Sequence, residues 1–210
     1  MGFAGQERAA LCDALLEAGP DAPTLCEGWT THDLAAHVWV RENDPSAMPG
    51  LLVGALADVT ASRMEATKRR WLYPELVEQI RRGPRPISLF ALPVLDELAN
   101  TTEFFVHTED VRRPAGLPPR ETTPEFEDHV AKGLNTTAKA LFRKAPCGIM
   151  LERTDRPQRL RAKAGDTTVI VIGKPSELLL FAFGRMADAD VQLVGPPEVK
   201  DELLATHSGV

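Results

Sequence analysis

Apolar residues recur three and four apart through the first two-thirds of the chain. They run from Phe3 to Ala18, from Leu34 past Val40, through Leu51 to Met64, from Leu76 to Ile80, from Leu89 to Val111 and from Phe126 to Phe142. That period is the one that puts a single apolar stripe on an α-helix, so each run predicts a helix with one face on a core. Pro and Gly interrupt the runs at Gly19-Pro20, Pro45, Pro49-Gly50, Gly83-Pro84, Pro86 and from Pro114 to Pro119, where the backbone has no means of continuing a helix easily. The order predicts a bundle of four main helices with extra short ones. Thr30 followed by Asp33, just after a Gly-Trp pair, has the form of a helix N-cap. Pro93 belongs at the start of the long helix or at a kink within it.

After Pro146 the pattern changes. GIMLERTD, RLRAKAG and DTTVIVIG are short, alternating, β-branched and separated by turn residues, which predicts a small antiparallel sheet. KPSELLLFAFGRM reads as an apolar helix opened by Pro175 and Ser176, ADVQLVG as a further strand and PPEVKDELLAT as a closing helix. The expected fold class is therefore mainly α: a four-helix bundle over residues 1–145, then a small α/β (α+β) C-terminal domain over 146–210. There are no internal repeats and no low-complexity tract.

Composition narrows the partners. The 210 residues are 43% hydrophobic, enough for a sizeable core, and the formal net charge is -6. No basic excess is present to neutralise a phosphate backbone, so nucleic acid is not an expected partner. Lys68-Arg69-Arg70 and Arg81-Arg82 read as solvated helix faces. No stretch approaches the roughly 20 apolar residues of a spanning helix, and the N-terminal MGFAGQERAALCDALLEAG has acidic residues where a signal peptide would carry a basic region. The expectation is a cytoplasmic protein without a membrane partner. Cys12, Cys26 and Cys147 are odd in number and far apart, forming neither a CxxC pair nor a disulfide framework. Cys26 lies close enough to the Gly-Trp turn to approach a site there, although no neighbouring motif marks it as an activated nucleophile.

The chemistry-bearing residues form one constellation. Glu103 and His107 lie four apart in ANTTEFFVHTEDVRR, beside the apolar Leu95, Leu98, Phe105 and Val106. That spacing places both side chains on one helix face, where they could share a metal ion. His37 lies in the other distinctive segment, CEGWTTHDLAAHVWVRE. Two histidines and one carboxylate from two helices are the ligand set of an open, zinc-type catalytic site, with a vacant position for water, thiolate or substrate oxygen. The plainer alternative is an intrahelical Glu/His pair beside a satisfied core histidine. Glu125 and His129 have the same spacing, but Glu125, Glu127 and Asp128 fall in a first turn, where the helix dipole accounts for them. His32 and His37 are roughly 140° apart around a helix at 3.6 residues per turn, too far round to share an ion easily. His207 is in a polar tail. The chain contains no HExxH, no paired ExxH, no P-loop, no GxGxxG and no GxSxG.

At these residues the chain resembles the mycothiol-dependent maleylpyruvate isomerase family, whose N-terminal domain has the DinB-like metal-binding four-helix fold. The family pattern Cys-x-Gly-Trp-(Thr/Ser)-x-x-Asp-Leu-x-x-His is matched by Cys26, Gly28, Trp29, Thr30, Asp33, Leu34 and His37. A later Glu-x-x-x-His is matched by Glu103 and His107, with Asp110 at a frequently acidic position. GKPSELLLFAFGRMADADVQLVG is similar to the signature of the C-terminal domain often joined to this bundle. The resemblance implies His37, Glu103 and His107 as metal ligands. With its PGLLVGALADVTASRMEATKRRW insertion the chain is most similar to actinobacterial metal-binding members, and Thr108-Glu109-Asp110 departs from the Gly-Trp-Asp that often follows the second histidine in the isomerases.

What the resemblance implies is an enzyme holding zinc, or another divalent metal. It would bind a low-molecular-weight thiol such as mycothiol and transfer or add it to a small electrophile, as an S-transferase or isomerase. The alternative is a non-catalytic metal-binding or regulatory module of the same fold, in which a fourth protein ligand such as Glu42, Asp110 or His129 closes the metal site. Arg185 is the candidate catalytic residue of the C-terminal domain, since a guanidinium pairs bidentately with carboxylates. Its other reading is a cap on its own helix end or a partner of Asp188 or Asp190. Trp29 reads as a packing anchor, and Arg41 and Glu42 as the rim or outer shell of the site.

Overall fold

The structure, a computed structural model, describes residues 2–44, 57–86 and 88–206. The apolar positions 51–56, the turn signals at Pro45 and Pro49-Gly50, and His207 lie outside the described residues, as do the side chains of Leu95 and Leu98. The chain divides into two compact units, Met1–Pro119 and Arg120–Val210.

The first unit is helical, with α1 (Phe3–Ala18), α2 (Thr31–Asn43), α3 (Ala57–Arg70), α4 (Tyr73–Arg81), a 3-10 turn at Leu89–Ala91 and the long α5 (Pro93–Arg112). Among the described residues this unit has four long helices and one short one, in keeping with the expected mainly α class. Helix α1 packs along α5, and α2 lies against α3 and α4. Leu11, Leu15, Leu34, Leu76, Ile80 and Phe104 are fully buried between them. Each is held at helical spacing from other apolar residues, which is what the sequence period requires.

Helix starts are defined by side chains. Thr30 and Asp33 form a reciprocal capping box at α2, and Gly28 just before it has φ +75°, the left-handed conformation that favours glycine. Pro93 occupies the first turn of α5, where its missing N–H costs nothing. Helix α1 has no local cap. Its first amides are instead satisfied from α5: Phe3 N and Ala4 N donate to the Glu97 carboxylate at 2.9 and 3.3 Å.

A polar network crosses the interior of this bundle. Arg8 of α1 donates to both Glu42 oxygens of α2 at 2.6 and 2.7 Å, and also to Asp96 of α5 at 3.1 Å. Asn100 of α5 donates to Glu42 at 2.8 Å and to Asp96 at 2.7 Å. The Arg8 guanidinium also lies over the Phe104 ring, 4.6 Å from its centroid. Three helices are thus tied by one charge cluster in the core.

The second unit contains α6 (Pro124–Leu141), β1 (Gly148–Arg153), β2 (Arg159–Lys163), β3 (Thr168–Gly173), α7 (Pro175–Ala182), β4 (Gln192–Val194) and α8 (Pro197–Thr206). The change of texture near residue 145 marks where strands begin, but α6 packs on α7 and β2 and so falls in this unit. Glu127 of α6 accepts from Ser176 N and Oγ at 2.9 and 2.7 Å, capping the first turn of α7.

The sheet is mixed, not antiparallel as the sequence pattern suggested. Its order is β2-β1-β3-β4, with β1 and β3 parallel and the outer pairs antiparallel. The short link after β2 passes the start of β1 to reach its other side. Two glycines make this crossing tight: a Cβ on Gly165 would lie 2.4 Å from Gly148 N, and one on Gly148 would lie 2.6 Å from Thr168 Oγ1. Alternation locates strands without specifying which edge the next strand takes.

The buried ion pair should dominate the exposed ones energetically. Glu42→Ala, which removes the bidentate partner of Arg8 and leaves it Asp96 and the Ile80 carbonyl, is expected to lower unfolding free energy by about 3 kcal/mol in urea titration. Asp13→Ala, which removes the partially exposed Arg81 contact of 2.7 Å, should cost less than about 1 kcal/mol. Equal losses for the two variants would refute the assignment of Glu42 as a core anchor.

Candidate metal centre

Residues from α2, α5 and the turn before α2 converge within the first unit. His37 is seven residues into α2, and Glu103 and His107 lie one turn apart on α5. Glu103 Oε1 is 3.2 Å from His107 Nε2 and 3.6 Å from His37 Nε2. One ligand atom from each of the three residues lies within 4.8 Å of the others. The two imidazoles stand nearly edge to face, with ring centroids 5.3 Å apart. The side chains of His37, Glu103 and His107 are 12, 19 and 8% exposed, so the group is enclosed without being sealed.

Each ring nitrogen has a distinct situation. His107 Nδ1 is 2.9 Å from Asp110 Oδ2, a carboxylate fully buried one turn further along α5. Such a partner fixes the ring and leaves Nε2 facing the group, the arrangement found behind metal-bound histidines. His37 Nδ1 is buried without a hydrogen-bond partner, and its Nε2 contact with Glu103, at 3.6 Å, is too long to be a hydrogen bond. A buried histidine left this poorly satisfied is costly unless something else engages it. The donor set and this shortfall both fit a divalent ion between His37, Glu103 and His107.

Arg41 completes the local charge balance. Its Nε is 3.3 Å from Glu103 Oε1, while the other nitrogens reach Asn100 Oδ1 and Ala99 O. Burial pushes the Glu103 carboxyl upward, but Arg41 and the two histidines outweigh it and hold the pKa well below the usual range. Burial pulls His37 down, and contact with Glu103 does not reverse this. His107 goes the other way. Burial lowers it, yet donation to Asp110, contact with Cys26 and the Glu103 carboxylate raise it well above an ordinary histidine.

Of the residues weighed as a fourth ligand, Glu42 is committed to Arg8 and Asn100, and Asp110 sits on the opposite nitrogen of His107. His129 belongs to the second unit. Trp29 packs beside His37 with ring centroids 5.1 Å apart, as an anchor would. Arg185 lies in the second unit and donates to Phe183 O at 2.5 Å, at the end of α7.

Sequence reasoning placed Arg41 at the rim and Cys26 near the site without naming the partner of either. Arg41 pairs directly with Glu103, and Cys26 Sγ donates to Asp110 Oδ2 at 3.3 Å. The first had a signal in its spacing, one turn beyond His37. The second had none, because Cys26 and Asp110 are 84 positions apart.

No protein-family model matches the chain, and no curated protein does. Similar solved structures include a crystal structure of the mycothiol-dependent maleylpyruvate isomerase, 17% identical, with a TM-score of 0.45. Another is that of a histidine-to-alanine mutant of that isomerase, 15% identical, with a TM-score of 0.47. In both cases 93% of each chain is covered. Identity this low leaves the assignment of the site to the side chains of this chain. Among the described residues no helix is long and apolar enough to cross a membrane.

The raised affinity of His107 for protons has a measurable consequence. Asp110, Cys26 and Glu103 favour the charged ring, so an ion at Nε2 competes with a proton there. Zinc affinity should therefore weaken as the pH is lowered, read by calorimetric titration at several pH values. Asp110→Asn should weaken zinc binding by about 10–100-fold, since the ring loses its anionic acceptor. Unchanged affinity in that variant would show that Asp110 does not position His107.

Proposed function

We propose that the first unit binds one divalent metal ion, zinc in the simplest case, through His37, Glu103 and His107. We further propose that it uses the ion in thiol-dependent transfer or isomerisation of a small electrophile. The observation that carries the metal assignment is the His107 ring, anchored at Nδ1 by buried Asp110 and aimed with Nε2 at Glu103 beside an under-satisfied His37. The thiol, of low molecular weight and of the mycothiol class, is supported by the resemblance of residues 26–37, 103–107 and 173–195 to their family patterns.

The chain's own residues divide the work. Asp110 holds the His107 tautomer, Arg41 restrains Glu103, and Trp29 backs His37. Three protein ligands leave a position for an exogenous group. When bound, the ion would stabilise a thiolate at neutral pH by its positive charge. In an isomerisation the thiolate adds to one carbon of a cis double bond, the resulting single bond rotates, and the same thiolate leaves. The thiol is regenerated and no other group is consumed.

Elemental analysis of untagged protein purified without chelators tests the metal. About one equivalent is expected in the wild type and almost none in His37→Ala or His107→Ala, with helical circular dichroism retained. Absence of metal in the wild type, even after incubation with zinc, would overturn the proposal. Where metal is present, His107→Ala should also abolish thiol-dependent turnover. Activity persisting in that metal-free variant would rule the mechanism out.

A further inference from the structure

His107 offers a second face. On its Nδ1 side stand Asp110 Oδ2 at 2.9 Å and Cys26 Sγ, itself 3.3 Å from the same oxygen. Ligand atoms of Cys26, His107 and Asp110 all lie within 4.8 Å of one another. We propose that Cys26, Asp110 and Nδ1 of His107 form a second metal position, selective for thiophilic ions such as Cd2+, Hg2+ or Cu+.

The ligand chemistry sets the selectivity. Neither His37 nor Glu103 supplies sulfur, so the first group favours borderline and harder ions, whereas a thiolate strongly favours soft ones. The spacing also fits. For a tetrahedral ion the size of zinc, with metal–nitrogen and metal–oxygen bonds near 2.0–2.1 Å and metal–sulfur near 2.3 Å, ligand atoms stand about 3.3–3.6 Å apart, and a larger soft ion sets them wider. The 2.9 and 3.3 Å contacts of Asp110 need to spread by about half an ångström or less for an ion of zinc's size, and by more for Cd2+, a spread that the half-buried Cys26 can supply.

The site is built rather than incidental. Cys26 is held by a tight turn in which its N–H donates to Thr24 Oγ1 at 3.2 Å and its carbonyl accepts from Trp29 N at 3.0 Å. Thr24 Oγ1 in turn donates to Trp29 O at 2.9 Å, and Leu25 N donates to the Asp110 carbonyl at 3.0 Å. This last bond ties the cysteine segment to the end of α5 directly beside the carboxylate. Cys26 is half-buried, which leaves a path for an ion, while Asp110 and His107 are buried and already oriented.

Occupation would have a consequence for the first group. An ion on Nδ1 takes the place of the proton shared with Asp110 and draws that carboxylate away from positioning His107. Soft ions are thus expected to compete with, or disable, the function assigned to Nε2. The proposal itself rests on these three side chains and not on the first group being a metal site.

Cadmium added to the metal-free full chain tests it, read by the thiolate-to-cadmium charge-transfer absorption. The wild type should show that band, saturating at about one thiolate-bound ion. A His37→Ala, Glu103→Ala double variant should keep it, and Cys26→Ser should lose it. Retention of the band in Cys26→Ser would place the ion on Cys12 or Cys147 and overturn the proposal. So would absence of the band in folded wild type. Zinc content in the wild type reports on the first group separately, so the two assignments fail independently.

Discussion

A carboxylate taken out of water must meet a matching charge or donor, and the helical unit is organised by that requirement. Glu42, Glu103 and Asp110 each project from α2 or α5 into the bundle, and each has a different solution. Glu42 is met by Arg8 and Asn100, Glu103 by Arg41 and two histidines, and Asp110 by His107 and Cys26. Apart from His107, which shares α5 with Glu103 and Asp110, the partners come from other helices or from the turn before α2, so satisfying the charges also sets the packing. Ion pairs of this kind are poor sources of net stability but penalise any packing that breaks them.

The three solutions differ in what they leave over. Around Glu42 every charge is matched, which makes that cluster structural. Around Glu103 one ring, His37, is left with an unpartnered nitrogen and a long contact, and it is there that an ion gains most. Around Asp110 the donors include a thiol, which changes the chemistry from hard and borderline to soft. One imidazole joins the last two clusters, each using a different nitrogen. His107 is consequently the residue through which events on either side are felt on the other.

The second unit follows a different logic. Its strands are short, and what places them is the crossing of the β2–β3 link over the start of β1, permitted by Gly148 and Gly165. Helix α6 is drawn into this unit by its packing on α7 and β2 and by Glu127, whose carboxylate serves the N-terminus of α7. A helical period alone gives no indication of which neighbour a helix will choose.

Local information in the chain was enough for the helices, for the cap of α2 and for the pairing of Glu103 with His107, but not for the caps of α1 and α7, which come from Glu97 and Glu127. Those features depend on residues three to five positions apart, where backbone geometry alone sets the separation. Thr30 and Asp33 cap α2, and Pro93, Pro124 and Pro175 open their helices as their residue types require. The approach of His37 to α5 was legible only through a resemblance, since no local rule relates positions 66 apart. Tertiary structure alone decided that Arg8 meets Glu42, that Cys26 meets Asp110 and that β1 runs parallel to β3. Those contacts arise from helix packing and strand order, which depend on the free energy of the whole assembled core and leave no periodic trace along the chain.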